Sequence, residues 1–413
     1  MSTHHHSLRH HHLKKEARNA IILAVMCFVA YLAVYFLRNI LSTVTPQMIS
    51  AGEFTDAHIG LLSGVFFAAY AVGQLINGIL GDIIKAKYML AVGLTMAGIC
   101  NVAFVWCKSS AILTTLTYGL VGFFLSMIYA PMTKVVSENV NLNYAQRCSI
   151  GYTFSSFLGS PAAGMCAAYM TWQALFYVGG GLLIAIGIAV YFFFVIVEKK
   201  KIVTYGNFKV EKKSGTGSIK VLLQRQIVKF TVISVITGVV RTSVVFWLPT
   251  YLFQYLKFTE EQSAMLFTLS TLFISFSAFL TMGIFEMLKK DMDKTILLSF
   301  ILSTFAFLGA FFVKHQVINI IFMILAIMMS NCATSMLWSY YCPSLRDTGM
   351  VSSATGFLDF MSYIAAAVAN VVFPGAVASI GWGNLILVWA ALVFIGIPIS
   401  LPRRRVAADG SGR

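Results

Sequence analysis

The sequence predicts an all-α membrane protein: twelve transmembrane helices in two pseudo-symmetric six-helix halves, with both termini cytoplasmic. Three observations predict it. First, 58% of the 413 residues are hydrophobic and only 11% charged, against roughly 25% charged in soluble domains, and mean hydropathy is +0.81. Second, apolar runs of about 18 residues or more recur along the whole length, as spanning helices require, whereas the short alternating segments of a β-barrel are not visible. Third, several short motifs of the first six runs return in the same order in the last six.

Taken in order, residues 1–16 read as a cytoplasmic tail whose His4-His5-His6 and His10-His11-His12 clusters have the look of a tag. The first span, 17–50, is uncharged from Ala20 to Leu37 and again from Asn39 to Gly52, with Arg38 alone between. No cleavable leader pattern is present, because this run is too long and more follow. The next five spans are read at 57–81, 87–107, 111–138, 146–170 and 173–197, closing a first half over 17–197. Residues 198–223, rich in Lys, Gly and Ser, form a cytoplasmic linker too short and polar to fold as a domain. The second half, 224–401, carries spans at 224–256, 261–287, 294–313, 316–341, 348–379 and 382–401, and 402–413 is a second cytoplasmic tail ending in a linker-like Ala-Asp-Gly-Ser-Gly-Arg.

Sidedness follows from the basic residues. With the N-terminus inside, all but five of the 30 Lys and Arg fall in the tails, inner loops or inner helix ends; Lys108, Lys257 and Lys314 lie outside, and Arg38 and Arg241 within the membrane. That is the positive-inside distribution. It accounts for the net charge of +15 without nucleic acid. The seven cysteines lie in or beside apolar runs without ligand spacing and read as small core residues, so no metal, disulfide or cofactor is expected. A phosphate-cradling Walker A loop is missing, which excludes ATP-driven transport, and no extramembrane segment is large enough for an enzyme domain.

The repeats give the organisation its detail. Arg38 and Arg241 are each followed eight residues later by a proline, Pro46 and Pro249. Phe54-Thr55-Asp56 returns as Phe258-Thr259-Glu260, and Asp82 with Lys85 returns as Glu286 with Lys289. Tyr129-x-Pro131-x-x-Lys134 returns as Tyr341-x-Pro343-x-x-Arg346. Each match is weak alone; four in register indicate duplication, and duplicated halves place a substrate at their interface near the midplane.

Arg38 and Arg241 are the central candidates. A guanidinium near the bilayer centre costs about 3 kcal/mol on insertion scales, and it keeps its charge. Two at matched positions should face one cavity, where their planar forks suit a phosphate or carboxylate bidentately. A lone arginine would as readily be structural, bonded to carbonyls or to a buried carboxylate. Asp359, in the middle of the eleventh span, is the clearest intramembrane carboxylate; it can pair with either arginine, meet a substrate hydroxyl or cation, carry a coupling proton, or simply bond a neighbouring helix.

Around this pair, Tyr35 shares the face of Arg38 at helical spacing. Tyr70 and Gln74 lie one turn apart on the second span, Tyr152 and Ser156 on the fifth, and Tyr363 on the eleventh; each is a candidate substrate contact, with ordinary packing the competing reading. Asp82 and Lys85 are read as a gate latch, since Asp82 sits where a neighbouring helix N-terminus would favour an anion. Glu286 is the matching position. The competing reading for all three is an ordinary charged turn.

Gly78-Ile79-Leu80-Gly81-Asp82, followed by Lys85 and Lys87, resembles the loop signature of the major facilitator superfamily. Within it, the whole chain resembles the organophosphate:phosphate antiporter family. The specific pieces are Tyr35-Phe36-Leu37-Arg38-Asn39, Tyr70-Ala71-Val72-Gly73-Gln74 leading to Asn77, Ser126-Met127 with Ala130-Pro131-Met132, and Arg241 with Trp247-Leu248-Pro249-Thr250-Tyr251-Leu252. The resemblance implies that Arg38 and Arg241 bind phosphate. It also shows two departures: the exchangers generally carry lysine where Gln74 aligns, and the glycerol-phosphate type has a histidine about where Ser156 falls.

The expected function is secondary transport of a small organic anion, a phosphorylated metabolite exchanged for inorganic phosphate, by a monomer in the bacterial cytoplasmic membrane. One alternative keeps the fold and makes Asp359 the coupling group of a carboxylate symporter. Another, suggested by sensors in the same family, is an anion receptor without transport.

Overall fold

The computed structural model describes residues 2–205, 219–345 and 351–402; the middle of the expected linker, Arg346 and the last eleven residues of the C-terminal tail lie outside the described residues. Helices account for nearly all of it. The first half of the chain folds as α1 (Ser2–Ser50), α2 (Asp56–Ile83), α3 (Ala86–Trp106), α4 (Ala111–Leu125), α5 (Tyr129–Asn139), α6 (Leu142–Tyr169) and α7 (Trp172–Lys199). The second half gives α8 (Ile219–Gln224), α9 (Ile227–Gly238), α10 (Val245–Gln254), α11 (Glu260–Ser275), α12 (Ser277–Met287), α13 (Met292–Phe312), α14 (Gln316–Met336), α15 (Cys342–Ser344) and α16 (Val351–Ser400).

Ten stretches among the described residues are long and apolar enough to cross a membrane. They differ from the expected spans in instructive ways. α1 runs through the His-rich start without a break, because no proline or glycine interrupts it before Pro46. The fourth expected span divides into α4 and α5 at Ser126–Ile128, just before Pro131, which cannot donate a helical hydrogen bond. The last two expected spans form one continuous helical stretch, broken in direction at Gly381, whose φ of +78° suits glycine and few other residues. α6, although 28 residues long, is too rich in polar and small residues to count among the ten.

Helix starts are sealed by the residues that turns favour. Thr55 Oγ1 accepts from the His58 amide at 3.2 Å to open α2, and Thr259 with Gln262 forms a reciprocal capping box at the start of α11. Inside the bundle, hydroxyls bond across helices: Ser234 to the Leu358 carbonyl at 2.7 Å, Ser243 to Ala366 at 2.9 Å, and Ser303 to Ala326 at 2.7 Å. In lipid these contacts and close packing, rather than hydrophobic burial, hold helices together.

Among the described residues, the two halves of the chain meet mainly in three crossings, with a smaller contact of α1 on α11. α1 lies against α10, where Ser42 donates to the Phe246 carbonyl; α6 lies against α11, where Thr268 donates to the Pro161 carbonyl at 3.3 Å; α2 lies against the first leg of α16. The last crossing is tight. A Cβ on Gly64 would stand 2.4 Å from Val371 Cγ2, and one on Gly60 2.6 Å from the Asn370 carbonyl. These contacts sit at the depth of Arg38 or beyond it, toward the bundle end away from the termini.

At the termini end, the described contacts stay within one half. Lys87 on α3 pairs with Glu198 near the end of α7 at 2.7 Å, Tyr205 donates to Glu198 at 2.8 Å, and the Thr204 amide donates to Asn139 at 2.7 Å, so the first residues after α7 are fastened to α5 and to the end of α7. Lys229 pairs with Asp293 at 2.9 Å in the second half. Among the described residues, the contacts between the halves therefore lie toward the far end, and those at the end that bears the termini stay within a half.

Candidate functional site

A cavity of about 170 Å³ lies between the halves at mid-depth, lined by both arginines, Tyr35, Phe67 and Tyr363, with Ser156, Ser160, Thr271, Ser275 and Asn331 on the other walls. Its two cations come from unlike backbones. Arg38 sits in regular α-helix. Arg241 sits in a π-helical segment, Val239–Val244, between α9 and α10, and a second such segment, Leu337–Tyr341, follows α14. The wider turn leaves carbonyls imperfectly paired and re-aims side chains, and it recurs at functional sites.

Arg38 is caged. Its guanidinium carbon lies 5.2 Å from the Tyr35 ring centre, 5.0 Å from Phe67, 5.3 Å from Tyr70 and 5.0 Å from Tyr363, and Nη1 donates to the Tyr363 hydroxyl at 2.9 Å. Desolvated cation–π contacts reach about 2 kcal/mol each, so four rings offset much of the cost of placing this charge in the membrane. Arg241 is freer. It faces the same Tyr363 ring at 5.7 Å, and its buried Nη2 has no hydrogen-bond partner among the described residues. An unmet guanidinium donor can give a charge-assisted hydrogen bond to an oxyanion.

The remaining expected contacts divide. Tyr70 is buried, edge-on to Tyr363 at 5.0 Å, and so belongs to the cage. Gln74, one turn along α2, does not line the cavity. Ser156 lines it on α6. Tyr152 sits a turn away in a cluster with Tyr31 and Tyr129, at 6.1 and 6.3 Å, on the termini side of the arginines. Asp359, one turn before Tyr363, faces the field of both arginines, yet no ion pair or hydrogen bond to it is formed among the described residues.

Of the expected latch residues, Asp82 ends α2 with its side chain outside the described residues. Lys85 Nζ stands 5.6 Å from the Tyr205 ring, and Glu286 is exposed near the end of α12. The loop itself is anchored by the second motif: Lys134 Nζ donates to the Gly81 carbonyl at 3.2 Å, where Pro131 also abuts Gly81.

Sequence reasoning missed Phe67, Asn331, Ser160, Thr242, Thr271 and Ser275. Phe67 was within reach, being three residues before Tyr70 on the same helical face. Asn331 and Thr242, each with a buried oxygen that no described residue meets, gave no signal, because their facing depends on how α14 and the π segment rotate.

The helical fold is that of a membrane transporter, and comparison with known proteins agrees. The family model for the Major Facilitator Superfamily matches residues 27–370; the chain belongs to that superfamily and is a multi-pass protein of the cytoplasmic membrane, not an enzyme. A "Probable hexose phosphate transport protein" of Chlamydia pneumoniae is 24% identical over 165 residues, 39% of this chain and 36% of that protein; the match thus spans about a third of that relative's length. The "Phosphoglycerate transporter protein" of Salmonella typhimurium is 22% identical over 399 residues, covering 89% of this chain and 85% of the relative. These relatives are members of the organophosphate:phosphate antiporter family, as the first-span motif implies. Among solved structures, a bacterial homolog of the human lysosomal transporter Spinster, inward-facing and unoccupied, aligns with TM-score 0.74 at 11% identity, over 92% of this chain and 96% of that one. It speaks to the fold alone.

Proposed function

We propose that the protein exchanges a small phosphorylated metabolite for inorganic phosphate, with Arg38 and Arg241 as the phosphate ligands. The observation that carries this reading is the sharing of Tyr363 by two guanidiniums, one of them with an unmet donor, in one cavity between the halves. The relatives' names support the substrate class. Twelve spans follow when α6 is added to the ten apolar stretches and the α16 stretch is divided at Gly381. The two six-helix halves on either side of a cytoplasmic linker, and cytoplasmic termini, are part of the same proposal.

The mechanism is rocker-switch alternating access. On this reading the termini are inside, the described contacts between the halves close the outer end, and the path opens to the cytoplasm. Emptied and closed, the cavity would hold two uncompensated cations whose repulsion grows as water leaves, since the interaction scales inversely with the local dielectric. A bound anion offsets that repulsion and lets the cavity close. Return of the carrier needs an anion as well, which makes exchange obligatory. Tyr35, Tyr70 and Tyr363 hold the guanidiniums in place; Ser156 and its neighbours meet the organic part of the substrate; Asp82, Lys85 and Glu286 act as latch residues at the cytoplasmic end.

The test is counterflow in proteoliposomes of the full chain. Labelled phosphate should enter only vesicles loaded with phosphate or a phosphate ester, and no pH gradient should be needed. Binding without flux would replace the reading with a receptor. A second reading is favoured by Asp359, which has no ion-pair or hydrogen-bond partner among the described residues: a symporter in which that carboxylate carries a proton with an organic acid. Uptake driven by a pH gradient into phosphate-free vesicles would establish it.

A further inference from the structure

The repeated Phe-Thr-acid motif marks more than ancestry. Asp56 is the first residue of α2 and Glu260 the first of α11, each following a threonine cap. Their partners are exchanged between the halves. Gln254, the last residue of α10 and five beyond Pro249, donates through Nε2 to both Asp56 oxygens, at 3.0 and 3.2 Å. Ser50, the last residue of α1 and four beyond Pro46, donates to Glu260 Oε1. Each acid at the start of one half's second helix thus holds the end of the other half's proline-bearing first helix.

We propose that Asp56–Gln254 and Ser50–Glu260 are a reciprocal pair of bolts that closes the outer end of the transport path, and that both must release before the carrier opens outward. This rests on the alternating-access reading above. Three features fit a bolt rather than incidental contacts. Each carboxylate lies at a helix N-terminus, where the backbone dipole favours an anion, and hydrogen bonds to a carboxylate are stronger than neutral ones. Gln254 is itself pinned, since its Oε1 accepts from Trp382 Nε1 at 3.1 Å, so the donor cannot follow Asp56 when the halves part. The bolts lie past the tight Gly60–Asn370 crossing, at the mouth, where released groups return directly to water. The arginine-bearing helices are the ones bolted, which ties the gate to the elements that hold the ligand.

A substrate-independent labelling experiment tests this. Ser42 is buried in the α1–α10 contact, so Ser42→Cys in a Cys107→Ser full-length background reports separation of the halves through reaction with a water-soluble maleimide in detergent. The rate is taken relative to the same background without Ser42→Cys. Asp56→Ala and Glu260→Ala should each raise it by about tenfold, the equivalent of one charge-assisted hydrogen bond, and the double variant should exceed either. Asp56→Asn with Glu260→Gln keeps an acceptor at both places and should fall between. Lys108→Ala breaks the Lys108–Glu53 pair, which lies at the same end but within one half, and should leave the rate unchanged. A double variant labelled at the parent rate overturns the proposal, as does equal acceleration by Lys108→Ala. Because labelling needs no substrate, failure of phosphate exchange would not blur the result.

Discussion

Arg38 and Arg241 face one ring: the centre of Tyr363 lies 5.0 Å from the first guanidinium carbon and 5.7 Å from the second. The two charges, one from each half of the chain, are therefore no farther apart than the sum of those distances. The asymmetry between them also matters. Arg38 is held by four rings and a hydroxyl, whereas Arg241 retains an unmet donor, so the first is pre-positioned and the second is available.

Replacing either arginine with lysine keeps the charge and discards the fork. Loss of one arm of a charge-assisted bidentate contact, about 1.5–3 kcal/mol, should lower phosphate exchange by roughly ten- to a hundredfold in reconstituted vesicles for both Arg38→Lys and Arg241→Lys. Near-normal exchange in both variants would remove the paired-arginine site.

Tyr363 performs two separable tasks. Tyr363→Phe deletes the hydroxyl that accepts from Arg38 and leaves the ring beneath both cations, so apparent substrate affinity should fall by less than about tenfold. Tyr363→Ala removes the ring as well and should be markedly worse, by the two lost cation–π contacts. Competition by unlabelled phosphate for binding to purified protein distinguishes them; equal effects would mean the ring contributes nothing.

Gly64 should tolerate no side chain in the conformation described. A Cβ there meets Val371 Cγ2 at 2.4 Å and the Ala367 carbonyl at 3.0 Å, and the backbone atom cannot yield cheaply. Gly64→Ala is expected to favour the open far end and accelerate Ser42→Cys labelling, whereas Gly78→Ala, with open space around it, should not. Identical labelling of the two would show that the α2–α16 crossing does not set the closed state.

Asp359 separates exchange from symport. Under the exchange reading, Asp359→Asn leaves phosphate counterflow running without a pH gradient, although substrate preference can shift because a charge facing both arginines is gone. Abolition of counterflow at every pH, with the protein still folded by thermal unfolding, would transfer the coupling role to this carboxylate.

Much of the site was readable because charge in an apolar run has few uses. Arg38, Arg241 and Asp359 stand out by their rarity in the membrane, and periodicity joined Tyr35 to Arg38, whereas Tyr70 came only as a candidate on the second span. Gln74 shows where periodicity stops: it shares a helix with Tyr70 but neither the cage around Arg38 nor the cavity. Phe67 was hidden by being one phenylalanine among 34, indistinguishable in sequence from those that face lipid.

The sequence by itself determined that this chain lives in a membrane as helices, that two arginines are matched about a repeated pattern, and that it carries the motifs of its family, because composition and local spacing are one-dimensional properties. Only the tertiary structure decided that both arginines meet on Tyr363, that Arg241 is aimed by a π turn, and that the repeated acids exchange partners across the halves. Those facts depend on how helices rotate and cross, which packing at Gly60 and Gly64 fixes and no local pattern records.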